Sequence, residues 1–287
     1  MSYARVLVAL DLASDSTESV IQRALQVAPD AQVTAVHVVE GSDYADDVAF
    51  RPLKGLHDAV MEASARRLEA VCKPAGIERP LLLQGHAANE IRRLVTEQGT
   101  DLVVMGAHGR SGRRPLLGST ARAVMHARLC DVLCVHVPEK VRPYQDMLVA
   151  VDASEEARFV LAGAAHIAAI SGARITLLSV LRPQVRSYAG IDITAFGDEL
   201  ANLARDEQAH VTGYLETLGR DLAANGQRLV RRGHPPTEIH SAAEEISADL
   251  IVVGTHGKRG LRAVLGSTAS GVLHGARSDV LAVRIPD

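Results

Sequence analysis

Apolar residues in this chain fall into short runs separated by longer segments of mixed polarity. In the first half the runs are Val6–Leu10, Val33–Val39, Leu81–Leu83, Leu102–Met105 and Val132–Val137. In the second they are Met147–Val151, Arg174–Val180, Leu229–Arg231, Leu250–Val253 and Val280–Ile285. They are rich in β-branched residues and close to continuously apolar. That pattern predicts parallel strands buried on both faces of a sheet.

The segments between them predict helices. Asn89–Gln98 places Ile91, Leu94 and Val95 at helical spacing, with Gly99 as the stop. Ser154, followed by Glu155 and Glu156, predicts an N-cap with an acidic first turn, and Gly172 the matching stop. Ser119–Leu129 and Ser267–Ala276 predict two more helices. Alternating strands and helices imply an α/β fold, a doubly wound parallel sheet in each half. Such sheets bind ligands at the carboxyl ends of their strands, near a topological switch point.

The halves are copies of one another. Gly106, His108, Gly109, Gly118, Ser119 and Thr120 return as Gly254, His256, Gly257, Gly266, Ser267 and Thr268, each 148 residues later. Gly85, His86, Glu90, Asp101, His126 and Asp131 recur at the same offset. Nearer the start the offset is 141 for Asp11 and Asp152 and 142 for Val38 and Val180. The second half therefore carries an insertion, placed in Arg182–Asp198. A repeat this long is a duplicated domain rather than a solenoid unit. The expected domains are 1–141 and 142–287, joined around Pro138–Gln145.

The doubled glycine segment carries the candidate chemistry. Glycine allows positive φ and lets backbone N–H groups approach an anion with no Cβ in the way. Gly118 and Gly266 open helices, whose free N–H groups favour a phosphate. Ser119, Thr120, Ser267 and Thr268 add hydroxyl donors. Arg110, Arg113 and Arg114 in one loop, and Lys258, Arg259 and Arg262 in the other, supply positive charge. Leu117 and Leu265 stand where a Walker A lysine would be, and no G-x-G-x-x-G follows the first strand. Read as local structure alone, these glycines make a strand-to-helix turn.

Composition narrows the classes. A net charge of −3 provides no global attraction to nucleic acid or an anionic membrane. With no Trp and only 3% aromatic residues, base-stacking platforms are not expected. No leader or membrane span is read in the sequence, because Val6–Leu10 stops at Asp11 and Val160–Leu181 contains His166, Gly172 and Arg174. Cys72, Cys130 and Cys134 match no disulfide framework or zinc spacing, which fits a reducing cytoplasm, and Cys130 and Cys134 read as packing residues rather than a redox pair.

The strings DLVVMGAHGRSG and DLIVVGTHGKRG, each followed by GST and a helix, resemble the universal stress protein family over nearly the whole chain, in two tandem copies. The resemblance implies a five-stranded parallel sheet per half, ordered 3-2-1-4-5, flanked by helices. It implies binding of ATP by a G-x2-G-x9-G-[S/T] loop that holds ribose and phosphates. The matching positions are Gly106, Gly109, Gly118 and Ser119, and Gly254, Gly257, Gly266 and Ser267. It further implies that Asp11 and Asp152 contact the nucleoside and that the backbone at Val38 and Val180 reads adenine. Both loops depart from the pattern: eight residues, not nine, separate Gly109 from Gly118 and Gly257 from Gly266. Pro115 removes a backbone donor from the first loop only.

Other polar residues have plainer readings. Asp11 and Asp152 also suit a turn or N-cap. His108 and His256 face either a phosphate or solvent. The other histidines, including His37 and His136, read as packing or surface residues, and Asp43, Asp46 and Asp47 as a solvated loop. No nucleophile–base pair stands out, so Ser119 and Ser267 read as phosphate donors rather than nucleophiles. The expected function is a cytoplasmic ATP-binding sensor or regulator, with Mg²⁺ an optional companion and AMP or cyclic AMP alternative ligands. A nucleotide-free interaction protein and a slow ATP hydrolase are the alternatives. The resemblance also implies pairing of last strands, here Val132–Val137 with Val280–Ile285, as an intramolecular pseudo-dimer; homodimerisation through other surfaces is left open.

Overall fold

The computed structural model describes residues 2–40, 51–107, 118–136, 141–182, 187–188, 191–192, 197–221, 225–255 and 265–286. The chain divides into two compact units. One comprises Met1–Pro143 with Leu273–Arg284, the other Tyr144–Val272 with Ile285–Asp287.

In the first half the elements are β1 (Arg5–Leu10), α1 (Thr17–Val27), β2 (Gln32–Val39), α2 (Arg51–Cys72), β3 (Leu81–Gln84), α3 (Ala87–Gln98), β4 (Leu102–Gly106), α4 (Ser119–Ala127) and β5 (Asp131–Val135). Its strands are parallel in the order β3-β2-β1-β4-β5. The second half has β6 (Asp146–Ala150), α5 (Ala157–Ser171), β7 (Arg174–Leu181), β8 (Ser187–Tyr188), β9 (Ile191–Asp192), α6 (Gly197–Asp221), β10 (Arg228–Arg232), α7 (Pro235–Glu245), β11 (Leu250–Gly254), α8 (Ser267–Leu273) and β12 (Asp279–Val283). There β10-β7-β6-β11 are parallel and repeat the order. The inserted segment contributes the small antiparallel pair β8–β9.

Burial explains the apolar runs. Val6–Leu10, Leu102–Met105 and Asp131–Val135 are buried at every position, so both faces of these strands are covered. Repeated polar residues secure strand ends. Asp101 Oδ2 accepts from the N–H groups of Ala4 and Arg5 at 2.9 and 2.8 Å, clasping the start of β1. Asp249 does the same for Gln145 and Asp146. Gly85 precedes α3 at φ +140, and a Cβ there would touch Glu90; at Gly233 a Cβ would come within 2.5 Å of Glu238 Oε1. The repeated glycine–glutamate pairs are thus packing pairs.

Helix ends differ from expectation in two ways. Gly99 and Gly172 stop α3 and α5 in the left-handed conformation, as expected. Ser154, however, is not an N-cap. Its hydroxyl donates to Asp152 Oδ1 at 2.6 Å, and α5 begins only at Ala157 with no side-chain cap. A nearby carboxylate competes successfully for the hydroxyl. The helix predicted over Ser119–Leu129 ends at Ala127, where Arg128 turns left-handed, and that over Ser267–Ala276 ends at Leu273.

The chain's last strand belongs with the first unit. β12 runs antiparallel to β5, with Val280 opposite Cys134 and Ala282 opposite Val132. This is the expected pairing of last strands. Each strand opens on a buried aspartate that caps the far end of the other. Asp131 Oδ1 accepts from Arg284 N–H at 2.7 Å, and Asp279 Oδ1 from His136 N–H at 2.8 Å. Their second oxygens differ. Asp279 Oδ2 lies 2.8 Å from Arg23 Nε of α1, both side chains being almost fully buried. Asp131 Oδ2 accepts from the Tyr3 hydroxyl at 2.8 Å. Burial, only partly offset by Arg284 and Tyr3, pushes the Asp131 carboxyl up to about 6. Burial likewise pushes the Cys130 and Cys134 thiols up to about 12, which makes them inert packing groups at neutral pH.

The halves also show a compensated change in volume. Gly271 of α8 faces Pro236 of α7, and a Cβ on Gly271 would lie 2.4 Å from Pro236 Cγ. At the corresponding positions the first half has Ala123 and Ala88.

Three outcomes are expected. Arg23→Ala removes the guanidinium from buried Asp279 and lowers unfolding stability by about 3–5 kcal/mol in urea titrations. Gly271→Ala lowers it by about 1–3 kcal/mol through overpacking, and adding Pro236→Ala recovers most of the loss. The third concerns pH. The folded carboxyl of Asp131 titrates near 6 against 3.8 for the ordinary group, so the native state binds the extra proton between these values. Its contribution to stability therefore falls as pH rises from about 4 to about 6. Unfolding midpoints of Asp131→Asn and the parent, compared across that range, should show the parent losing ground as pH rises.

Candidate functional site

The candidate site forms where β1 turns one way to β2 while β4 lies on its other side. In the ladders Ala9 stands opposite Met105, and Leu10 opposite His37. Asp11 therefore leaves the sheet between Ala107 on one side and Val38 on the other. The second half repeats this: Ala150 stands opposite Val253 and Leu178, which brings Asp152 beside Thr255 and Val180. Asp11, Val38 and Gly106, and separately Asp152, Val180 and Gly254, thus share the carboxyl edge of their sheets. This is the switch point at which open α/β sheets form a crevice.

Each glycine loop is closed at its base by the same bond. Gly118 N–H donates to Ala107 O at 2.9 Å, and Gly266 N–H donates to Thr255 O at 2.7 Å. Ala107 N–H in turn donates to Val135 O at 2.9 Å, which anchors the loop exit to β5. The chain so leaves and re-enters the fold beside the switch point. His108, Gly109, Arg110, His256, Gly257 and Lys258 lie outside the described residues.

At the re-entry, Gly118 is the N-cap of α4, with φ −58 and ψ 146 and no side-chain cap. The first intrahelical bond runs from Arg122 N–H to Gly118 O. The N–H groups of Ser119, Thr120 and Ala121 precede that bond and have no helical partner. Ser119 is exposed and Thr120 half-buried; Ser267 and Thr268 repeat this. Among the described residues the glycines of positive φ are Gly76, Gly85, Gly99, Gly172 and Gly275. Gly106, Gly118, Gly254 and Gly266 are not in that set. What these four provide is the missing side chain, not unusual backbone freedom.

The two acids are held differently. Asp11 Oδ1 accepts from Ala13 N–H at 3.0 Å, and its carbonyl accepts from Ser14 N–H and the Thr17 hydroxyl, each at 2.9 Å. Asp152 Oδ1 takes the Ser154 hydroxyl instead. Asp11 is half-buried and Asp152 exposed. Both acids therefore serve their turns.

One residue at this edge escaped sequence reasoning as a neighbour of the site. His37 is buried, and its Nδ1 lies 2.8 Å from Leu10 O, the last carbonyl of β1. A carbonyl can only accept, so Nδ1 carries the proton. The second half has Ser179 there, and only the position next to Val38 could have signalled His37. Repeated histidines at 86, 126, 234 and 274 lie on or beside α3, α4, α7 and α8, and no group of three metal-ligating side chains occurs among the described residues.

The universal stress protein family model matches residues 2–136 and 143–284. The chain belongs to the universal stress protein family. Universal stress protein A homolog 1 of Coxiella burnetii is 37% identical over 145 residues, 48% of this chain and 100% of that protein. A universal stress protein of Mycobacterium tuberculosis is 30% identical over 190 residues, 64% of this chain and 62% of its own length. A solved universal stress protein from Archaeoglobus fulgidus shares the fold with a TM-score of 0.66 at 21% identity, 98% of both chains being covered. This universal stress protein is thus a tandem member, with one family domain per half. Among its described residues no helix is long and apolar enough to cross a membrane.

Proposed function

We propose that this universal stress protein binds an adenine nucleotide, ATP in the first instance, at the carboxyl edge of each half and acts as a cytoplasmic sensor or regulator. The observation that carries the reading is the pinned loop base, Gly118 N–H to Ala107 O and Gly266 N–H to Thr255 O, set beside an acid at the switch point. The uncapped N-terminus of α4 fits an anion, because its free N–H groups and dipole favour negative charge. Gly106 and Gly118 leave room for phosphate oxygens to approach the backbone. Asp11 and Asp152 would meet ribose hydroxyls, and the backbone at Val38 and Val180 the adenine edge. His108, Arg110, His256 and Lys258 would supply donors from the loops, with Gly109 and Gly257 giving the backbone room. Mg²⁺ would accompany the phosphates. Binding to the folded state alone stabilises it, by about 2.7 kcal/mol at a hundredfold excess over Kd. That linkage is the physical basis for sensing.

The backbone geometry provides a clean test. At φ −58 alanine fits Gly118 without strain. Gly118→Ala should keep its unfolding midpoint while ATP affinity at the first site falls by about tenfold, or about 1.4 kcal/mol. The double variant Gly118→Val, Gly266→Val should lose binding at both sites. Unchanged ATP affinity of the double variant in calorimetry rejects the loop assignment.

A further inference from the structure

The two halves hold their switch-point acids by different means, and the difference reaches a long helix. In the second half, Asp152 Oδ1 accepts the hydroxyl of Ser154 at 2.6 Å, and Asp152 O accepts Ser154 N–H at 2.9 Å. Ser154 is itself buried, and its carbonyl accepts the phenol of Tyr214 from α6. The three residues form a continuous chain from the helix to the carboxylate. Burial, followed by the charges of Asp152, Glu156 and Glu155, raises the Tyr214 phenol above its ordinary value, so it stays a proton donor at neutral pH. In the first half Asp11 O likewise accepts Ser14 N–H at 2.9 Å, but Asp11 Oδ1 accepts the Ala13 N–H and not a hydroxyl. Ala13 stands two residues past Asp11, where Ser154 follows Asp152, and α2 contains no tyrosine.

The anchoring has a physical consequence. Asp152 is exposed, and a hydrogen bond to one carboxylate oxygen narrows the rotamers that it samples. The Ser154 hydroxyl fixes one oxygen of that carboxylate. Tyr214 in turn fixes the peptide that carries Ser154. The N-terminal part of α6, from Ala201 to His210, has no buried residue and is held to β10 by Arg232, which donates to Ala204 O and Glu207 Oε2 at 3.3 and 3.1 Å. Tyr214 stands where that half begins to pack, between buried Val211 and Leu215.

We infer that Ser154 and Tyr214 are positioning residues of the second nucleotide site, orienting Asp152 for the ligand and coupling occupancy of that site to helix α6. The inference rests on the nucleotide-binding reading above. It makes the two sites unequal: the turn of the second is bonded to a tyrosine of the long helix, and the corresponding helix of the first has no tyrosine.

The test uses the full chain carrying Gly118→Val, so that only the second site is read. Calorimetry with ATP is compared for this parent and for versions adding Ser154→Ala, Ser154→Thr or Tyr214→Phe. Hydrogen exchange of α6 is followed with and without ATP. The expected result is ATP affinity lowered about fivefold to tenfold by Ser154→Ala and Tyr214→Phe, and restored by Ser154→Thr. ATP should slow exchange in α6 of the parent, and this slowing should be lost in Tyr214→Phe. In a chain with an intact first site and Gly266→Val, Tyr214→Phe should change nothing. Parent binding that Tyr214→Phe and Ser154→Ala leave within twofold overturns the inference while the nucleotide reading stands. Absence of ATP binding in both single-site parents overturns the nucleotide reading and the inference with it.

Discussion

Two buried carboxylates secure the antiparallel pairing of β5 with β12, and much else depends on that pairing. Asp131 and Asp279 each open one strand and accept the N–H that follows the other. A sheet edge left open there would expose unpaired backbone groups to other chains. The pairing instead satisfies them within one chain and draws the last strand into the first unit. The two ends are not equivalent. Asp279 has a guanidinium beside it, whereas the second oxygen of Asp131 has a phenol. Burial holds the Asp131 carboxyl nearer its neutral form, so that end of the pair responds to mild acidity.

That pairing also bears on the candidate site. The exit of the first glycine loop is tied to β5 through Ala107, and its re-entry is tied to Ala107 through Gly118. The loop base is thus continuous with the strand that β12 covers. In the second half Thr255 takes the place of Ala107. Its hydroxyl accepts Ile285 N–H at 3.2 Å, so that loop base is tied to the chain's C-terminal residues. Duplication preserved the backbone geometry of the site while its supports diverged: His37 against Ser179 beside the first strand, Ala13 against Ser154 in the turn, and a tyrosine on only one of the two long helices.

Much of this was legible because backbone chemistry has strong local signals. Unbroken apolar runs marked strands covered on both faces, and Gly99 and Gly172 marked helix ends because few other residues adopt the left-handed conformation. The repeat offset located the inserted segment that contains β8 and β9. Ser154 misled because a serine before two acids reads as a cap, and only the fold shows which acceptor its hydroxyl takes. The repeated Asp101, Asp131 and Glu90 signalled only duplication; the fold shows that Asp101 clasps a strand start, Asp131 joins a strand pair and Glu90 pairs with Arg93 beside Gly85.

By itself the sequence determined the α/β class, the duplication, the family resemblance and the place of the glycine loops after the fourth strand of each half, because periodicity and spacing are properties of neighbours along the chain. Tertiary structure alone decided which repeated polar groups are structural, which half owns the last strand, and which acid answers to a helix. Those outcomes depend on partners separated by tens to well over a hundred residues, as in Tyr3 with Asp131, Arg23 with Asp279 and Ser154 with Tyr214. Burial and distance, which no local pattern encodes, fix what each of them does.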